Sequence, residues 1–120
     1  SLHYLYFERP HSAMTSMNLA DQAPRAAARA LDSAEINAHL QQVAHWQLAT
    51  DARSISREFK FASFYLTMSF VNALAHLANR ADHHPDLEVS FGRCKVRLNT
   101  HDVGGLSLND FILAAQIDRL

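Results

Sequence analysis

The apolar period of this chain changes at Pro85, and that change limits it to a fold mixing helix and strand. Over residues 63–80 apolar side chains recur every three or four positions. Phe64, Met68, Val71, Ala75 and Ala78 line one side, and Phe70, Leu74 and Leu77 widen the arc. That spacing predicts a long helix with a face broad enough for a core and a subunit contact. After Pro85 the period falls to two. Leu87, Val89 and Phe91 share one face of a short strand that Gly92 ends. Cys94, Val96 and Leu98 then alternate with Arg93, Lys95, Arg97 and Asn99 in the clearest strand of the sequence.

The remaining elements follow from local signals. Asp32 with Glu35 reads as a capping box and Leu31 with Ile36 as a hydrophobic staple, opening a helix whose stripe is Ile36, Leu40 and Val43. Two short strands are expected at 46–49 and 55–61, joined by a turn at 50–54 that contains Asp51. Ser107 with Asp110 starts a last helix carrying Phe111, Leu113, Ala114, Ile117 and Leu120. The order is α-β-β-α-β-β-α. Short connections favour a hairpin within each strand pair, so the expected class is α+β, a four-stranded antiparallel sheet with three helices packed on one face. At 120 residues the chain fits one domain, placed at 31–120. Residues 1–30 are expected to be an N-terminal extension, disordered or an expression remnant.

Composition removes several function classes. The net charge of −1 gives no broad attraction to nucleic acid or anionic lipid. Polar residues Lys60, Ser63, Thr67, Ser69, Asn72 and His76 interrupt the longest apolar stretch, so no membrane span is expected. Cys94 is the single cysteine, which precludes an intramolecular disulfide and suits a reducing compartment. Glu8, Arg9 and Pro10 stand where a signal peptide needs an apolar core, so a cytoplasmic location is expected.

The 8 histidines are many for this length. His83 and His84 follow the long helix and precede Pro85, while His101 ends the best strand before Gly104-Gly105. Both are loop positions beside a rigid sheet, where sites are commonly built. From spacing alone, the reading that comes first is the plain one, polar loop residues with Asp82 terminating a helix. A zinc site of His83, His84 and His101 is disfavoured, because adjacent side chains on extended backbone point apart and no HxH, HxxxH or CxxC spacing is present. Cys94 falls on the apolar side of its strand and reads as a structural thiol. His39, His45 and His76 have no partner pattern.

Several of these residues together resemble the pterin-4a-carbinolamine dehydratase signature. They are Asp82-His83-His84-Pro85, Phe91, His101 and Asp110, with Thr100-His101-Asp102 and Gly104-Gly105-Leu106 resembling the family's loop. Trp46, Phe59-Lys60-Phe61 and the long helix extend the likeness over residues 32–119. It implies dehydration of 4a-hydroxytetrahydropterin to quinonoid dihydropterin, in recycling of the pterin cofactor of aromatic amino acid hydroxylases. It implies no metal and no organic cofactor, a pterin substrate, and assembly as a homodimer or homotetramer. By resemblance His83 and His101 are the acid–base pair and His84 holds the pterin. Asp82 and the backbone around Asn99, Thr100 and Asp102 contact its donor and acceptor edge. Asp110 is read first as a helix cap acting indirectly. Four residues before His83 the family usually carries an ionisable residue, often Glu; here Asn79 stands, able to donate and accept hydrogen bonds but not to supply charge. The rival reading is a non-catalytic pterin-binding or dimerisation module. It is suggested by animal members that stabilise a transcription factor's dimer through a surface resembling the long helix.

Overall fold

The computed structural model describes residues 18–25 and 28–120. Most of the N-terminal extension singled out in the sequence, residues 1–17, therefore lies outside the described residues. The described chain holds three α-helices, α1 (Ser33–Leu40), α2 (Phe64–Ala81) and α3 (Leu108–Asp118), and four strands, β1 (Gln47–Leu48), β2 (Ile55–Lys60), β3 (Asp86–Ser90) and β4 (Arg93–Leu98). The strands form one antiparallel sheet in the order β1-β2-β4-β3. This is the expected class and element order, with both strand pairs closed as hairpins.

β4 lies inside the sheet, between β2 and β3, and its alternation sets one face against the core. Cys94, Val96 and Leu98 have no exposed surface and face the helices. Arg93, Lys95 and Arg97 face outward opposite β2 and β3, with Arg93–Glu58 at 3.1 Å and Arg97–Glu88 at 3.5 Å. Such exposed pairs contribute at most about 1 kcal/mol each. At the β3–β4 turn, Phe61 donates its N–H to Gly92 O (2.8 Å). A Cβ on Gly92 would sit 2.8 Å from Phe61 O, so the close approach of the two backbones requires glycine there.

α1 begins as expected, with Glu35 N–H donating to Asp32 Oδ1 (2.9 Å) and Asp32 N–H to Glu35 Oε1 (3.0 Å). It ends at Leu40, before the expected stripe does. Val43 still reaches the core, carried there by tight turns rather than by helix.

α2 is rotated from the expected face. Thr67, Phe70, Leu74 and Ala78 are buried, whereas Phe64 is 51% exposed. The reason is Thr67. Its hydroxyl lies 2.9 Å from Ser63 O and 2.8 Å from Phe91 O, so a polar side chain is fully satisfied inside the core and takes the inward position. Phe64 instead stacks on Phe91 at the surface, their rings 6.4 Å apart.

α3 is apolar on nearly every side, and Phe111, Ile112, Leu113 and Ala114 have no exposed surface. At about 1.5–3 kcal/mol for each large side chain fully buried, this helix is a main source of stability. At its end Asp118 accepts from Trp46 Nε1 (2.8 Å) and from Arg57 Nη1 (2.7 Å), tying α3 to the β1–β2 hairpin.

Candidate active site

Three of the residues singled out in the sequence, His83, Thr100 and Asp110, meet between the end of α2 and the start of α3. Asp82 terminates α2 in the left-handed conformation (φ 50°, ψ 43°), with its N–H reaching back to Asn79 O (3.2 Å). The next amide, of His83, donates to Ala78 O (3.1 Å). This is the helix stop that glycine usually provides; aspartate tolerates it better than most side chains. Reversing the chain here turns the His83 ring back toward α3. Pro85 then gives way to the extended backbone of β3.

His83 is largely buried, its side chain 14% exposed. Its Nε2 lies 2.5 Å from Asp110 Oδ1. Asp110 has no exposed surface, and its other oxygen, Oδ2, accepts from the Thr100 hydroxyl (2.7 Å) and from Ser107 N–H (3.0 Å). Because the Thr100 proton goes to the carboxylate, the Ser107 hydroxyl donates to Thr100 Oγ1 (2.7 Å). Every polar atom of this buried group is thereby satisfied, which is what makes a carboxylate tolerable in the interior. Asp110 thus contacts His83 directly besides completing the capping box of α3 with Ser107.

His101 follows Thr100 in sequence, so the 82–85 turn and the end of β4 meet around one carboxylate. His101 is exposed, in the 3-10 turn His101–Val103. That loop is closed by Thr100 N–H donating to Gly105 O (2.8 Å) and Val103 N–H to Thr100 O (3.1 Å). The Thr100 backbone is therefore spent on its own loop and its side chain on Asp110. Of the expected edge-binding positions, Asn99 and Asp102 are exposed beside His101.

His84 turns the other way. It is exposed, and its Nε2 lies 3.1 Å from Asn79 Oδ1, one helical turn back. Asn79, where the sequence departs from the resembled pattern, thus contacts a candidate site histidine. Cys94 stays apart in the core, where burial pushes its thiol up from the ordinary range. Among the described residues no group of three or more His, Cys, Asp and Glu side chains is arranged to hold a metal. No helix among them is long and apolar enough to cross a membrane.

Sequence reasoning missed Ser107 and the Thr100 hydroxyl as supports of Asp110. The Ser107-x-x-Asp110 spacing announces a capping box, but nothing local announces that the same carboxylate also meets His83.

Residues 29–120 match the family model described as Pterin 4 alpha carbinolamine dehydratase. The chain belongs to that family. A provisionally named pterin-4-alpha-carbinolamine dehydratase of Xanthomonas campestris pv. campestris (strain 8004) is 53% identical over 90 residues, covering 75% of this chain and 76% of its own. One from Stenotrophomonas maltophilia (strain K279a), also provisionally named, is 47% identical over 111 residues, covering 85% and 96%. Among solved structures, a transcriptional coactivator/pterin dehydratase from Brucella melitensis superposes with a TM-score of 0.72 at 30% identity, covering 74% of this chain and 95% of that one. A pterin dehydratase-like RuBisCO assembly factor of the alpha-carboxysome shares the fold, with a TM-score of 0.54 at 23% identity over 62% and 86% of the two chains.

Proposed function

We propose that this protein dehydrates 4a-hydroxytetrahydropterin to quinonoid dihydropterin by histidine acid–base catalysis, in recycling of the pterin cofactor of aromatic amino acid hydroxylases. Family membership supports the reaction class. The observation that carries the residue roles is the contact of His83 with the buried carboxylate of Asp110.

The reaction removes the proton on N5 and expels the C4a hydroxyl. With its Nε2–H donated to Asp110, neutral His83 has its lone pair at Nδ1, and there it accepts the N5 proton. The buried carboxylate stabilises the imidazolium that forms. Hydroxide leaves poorly, so an imidazolium must protonate it as the C4a–O bond breaks. His101, exposed at the loop beside Thr100, is the acid. The products are water and quinonoid dihydropterin, and the two histidines return to their starting forms by exchange with solvent. His84, steadied by Asn79, holds the pterin, with Asp82, Asn99 and Asp102 at its edge. Each proton transfer is worth on the order of 10²–10⁴ in rate.

The chain works without a bound cofactor as a cytoplasmic homodimer or homotetramer. A non-catalytic interaction role is the second reading, favoured by the exposed apolar group Phe64, Tyr65, Leu66 and Phe91. Stopped-flow absorbance on enzymatically generated 4a-hydroxypterin decides between them. His83→Ala and His101→Ala are expected to abolish turnover while the protein stays folded. Wild-type turnover no faster than the spontaneous reaction defeats the enzyme reading.

A further inference from the structure

The family match begins at residue 29, yet described residues before it grip α3 along its length. Asp21 pairs with Arg119 at the C-terminal end of the helix (2.9 Å). The Gln116 amide donates to Ala20 O (3.4 Å) and Gln22 O (3.3 Å). At the other end, Asn109 accepts from Arg25 N–H and donates to Arg25 O, both at 2.8 Å. The segment therefore runs antiparallel to α3 as a strap. Leu19, 3% exposed, is its anchor in the core, and Leu31 N–H donating to Leu106 O (2.9 Å) fixes the chain beyond it.

Asn109 is 8% exposed and immediately precedes Asp110. Consecutive helical residues point about 100° apart, so one side of this first turn faces the strap and the other faces His83. First turns lack half of their backbone hydrogen bonds and open most easily. We propose that Asn109 is a positioning residue, and that the strap, by holding it, keeps Asp110 against His83.

The kinetic consequence rests on the dehydratase reading; the mechanical coupling does not. The test uses the full chain with Asn109→Ala, and Leu19→Ala as a second variant that loosens the strap from its far end. Amide exchange at Arg25 reports the strap, exchange of the His83 Nε2 proton reports the site, and kcat and KM are measured alongside. The expected result is a His83 proton exchanging about tenfold faster once the strap opens. The accompanying kinetic change is a kcat lowered several-fold at nearly constant KM. Faster exchange at Arg25 with an unchanged His83 proton overturns the proposal. A wild type without turnover, whose His83 proton still follows the strap, defeats the dehydratase reading alone. Should Asn109→Ala not fold, Leu19→Ala alone carries the same comparison.

Discussion

His83 Nε2 and Asp110 Oδ1 meet 2.5 Å apart, joining the last residue of one helix stop to the first turn of another helix. One carboxylate thereby caps α3, anchors the end of β4 through Thr100, and orients the candidate base. Asp110→Asn keeps the shape and removes the charge that stabilises imidazolium. The expected outcome is a fall in kcat of about 10²-fold, read by stopped-flow kinetics. Unchanged kcat in a folded Asp110→Asn protein would reduce the residue to a helix cap.

Thr67 makes a prediction about stability rather than chemistry. Thr67→Val preserves volume but leaves Phe91 O without its buried donor. The cost is about 0.5–1.5 kcal/mol, measurable as a lower denaturant midpoint at constant slope.

The Arg29–Glu35 ion pair gives a pH dependence. The guanidinium, then the Asp32 N–H, hold the Glu35 carboxyl down at about 2. The unfolded chain has the ordinary value of about 4.3. A depressed folded value means that the pair's contribution is complete above the unfolded value and is lost as pH falls toward 2. The melting-temperature gap between wild type and Glu35→Gln should be constant from neutral pH to about 5 and close below about 4. A gap that persists at pH 2 contradicts the pairing.

Cys94, fully buried and with its thiol pushed up by burial, should be inert in the native protein. Titration with a chromogenic disulfide is expected to label it only at the rate of unfolding. Prompt labelling without denaturant would place the thiol elsewhere.

Much of this was legible because it is local. The Cys94–Val96–Leu98 alternation and the Asp32–Glu35 box are complete within a few residues, and the structure repeats them. The face of α2 was not legible, because Thr67 is polar by composition and becomes a core residue only when Phe91 O arrives from a distant hairpin. The strap was not legible either. Ala20 and Arg25 carry no periodicity, and their partners, Gln116 and Asn109, lie 96 and 84 positions away. The site falls between these cases. His83, His84 and His101 stood out by position, whereas the partners that orient two of them, Asp110 and Asn79, needed the folded chain.

On the dehydratase reading, the shared duty of Asp110 ties catalytic competence to complete folding. A partly denatured form with α3 undocked loses its helix cap and the backing of His83 together, so no half-assembled species should turn over pterin. Residual activity under denaturant would then follow the cooperative transition itself, making the catalyst its own reporter of the native fraction.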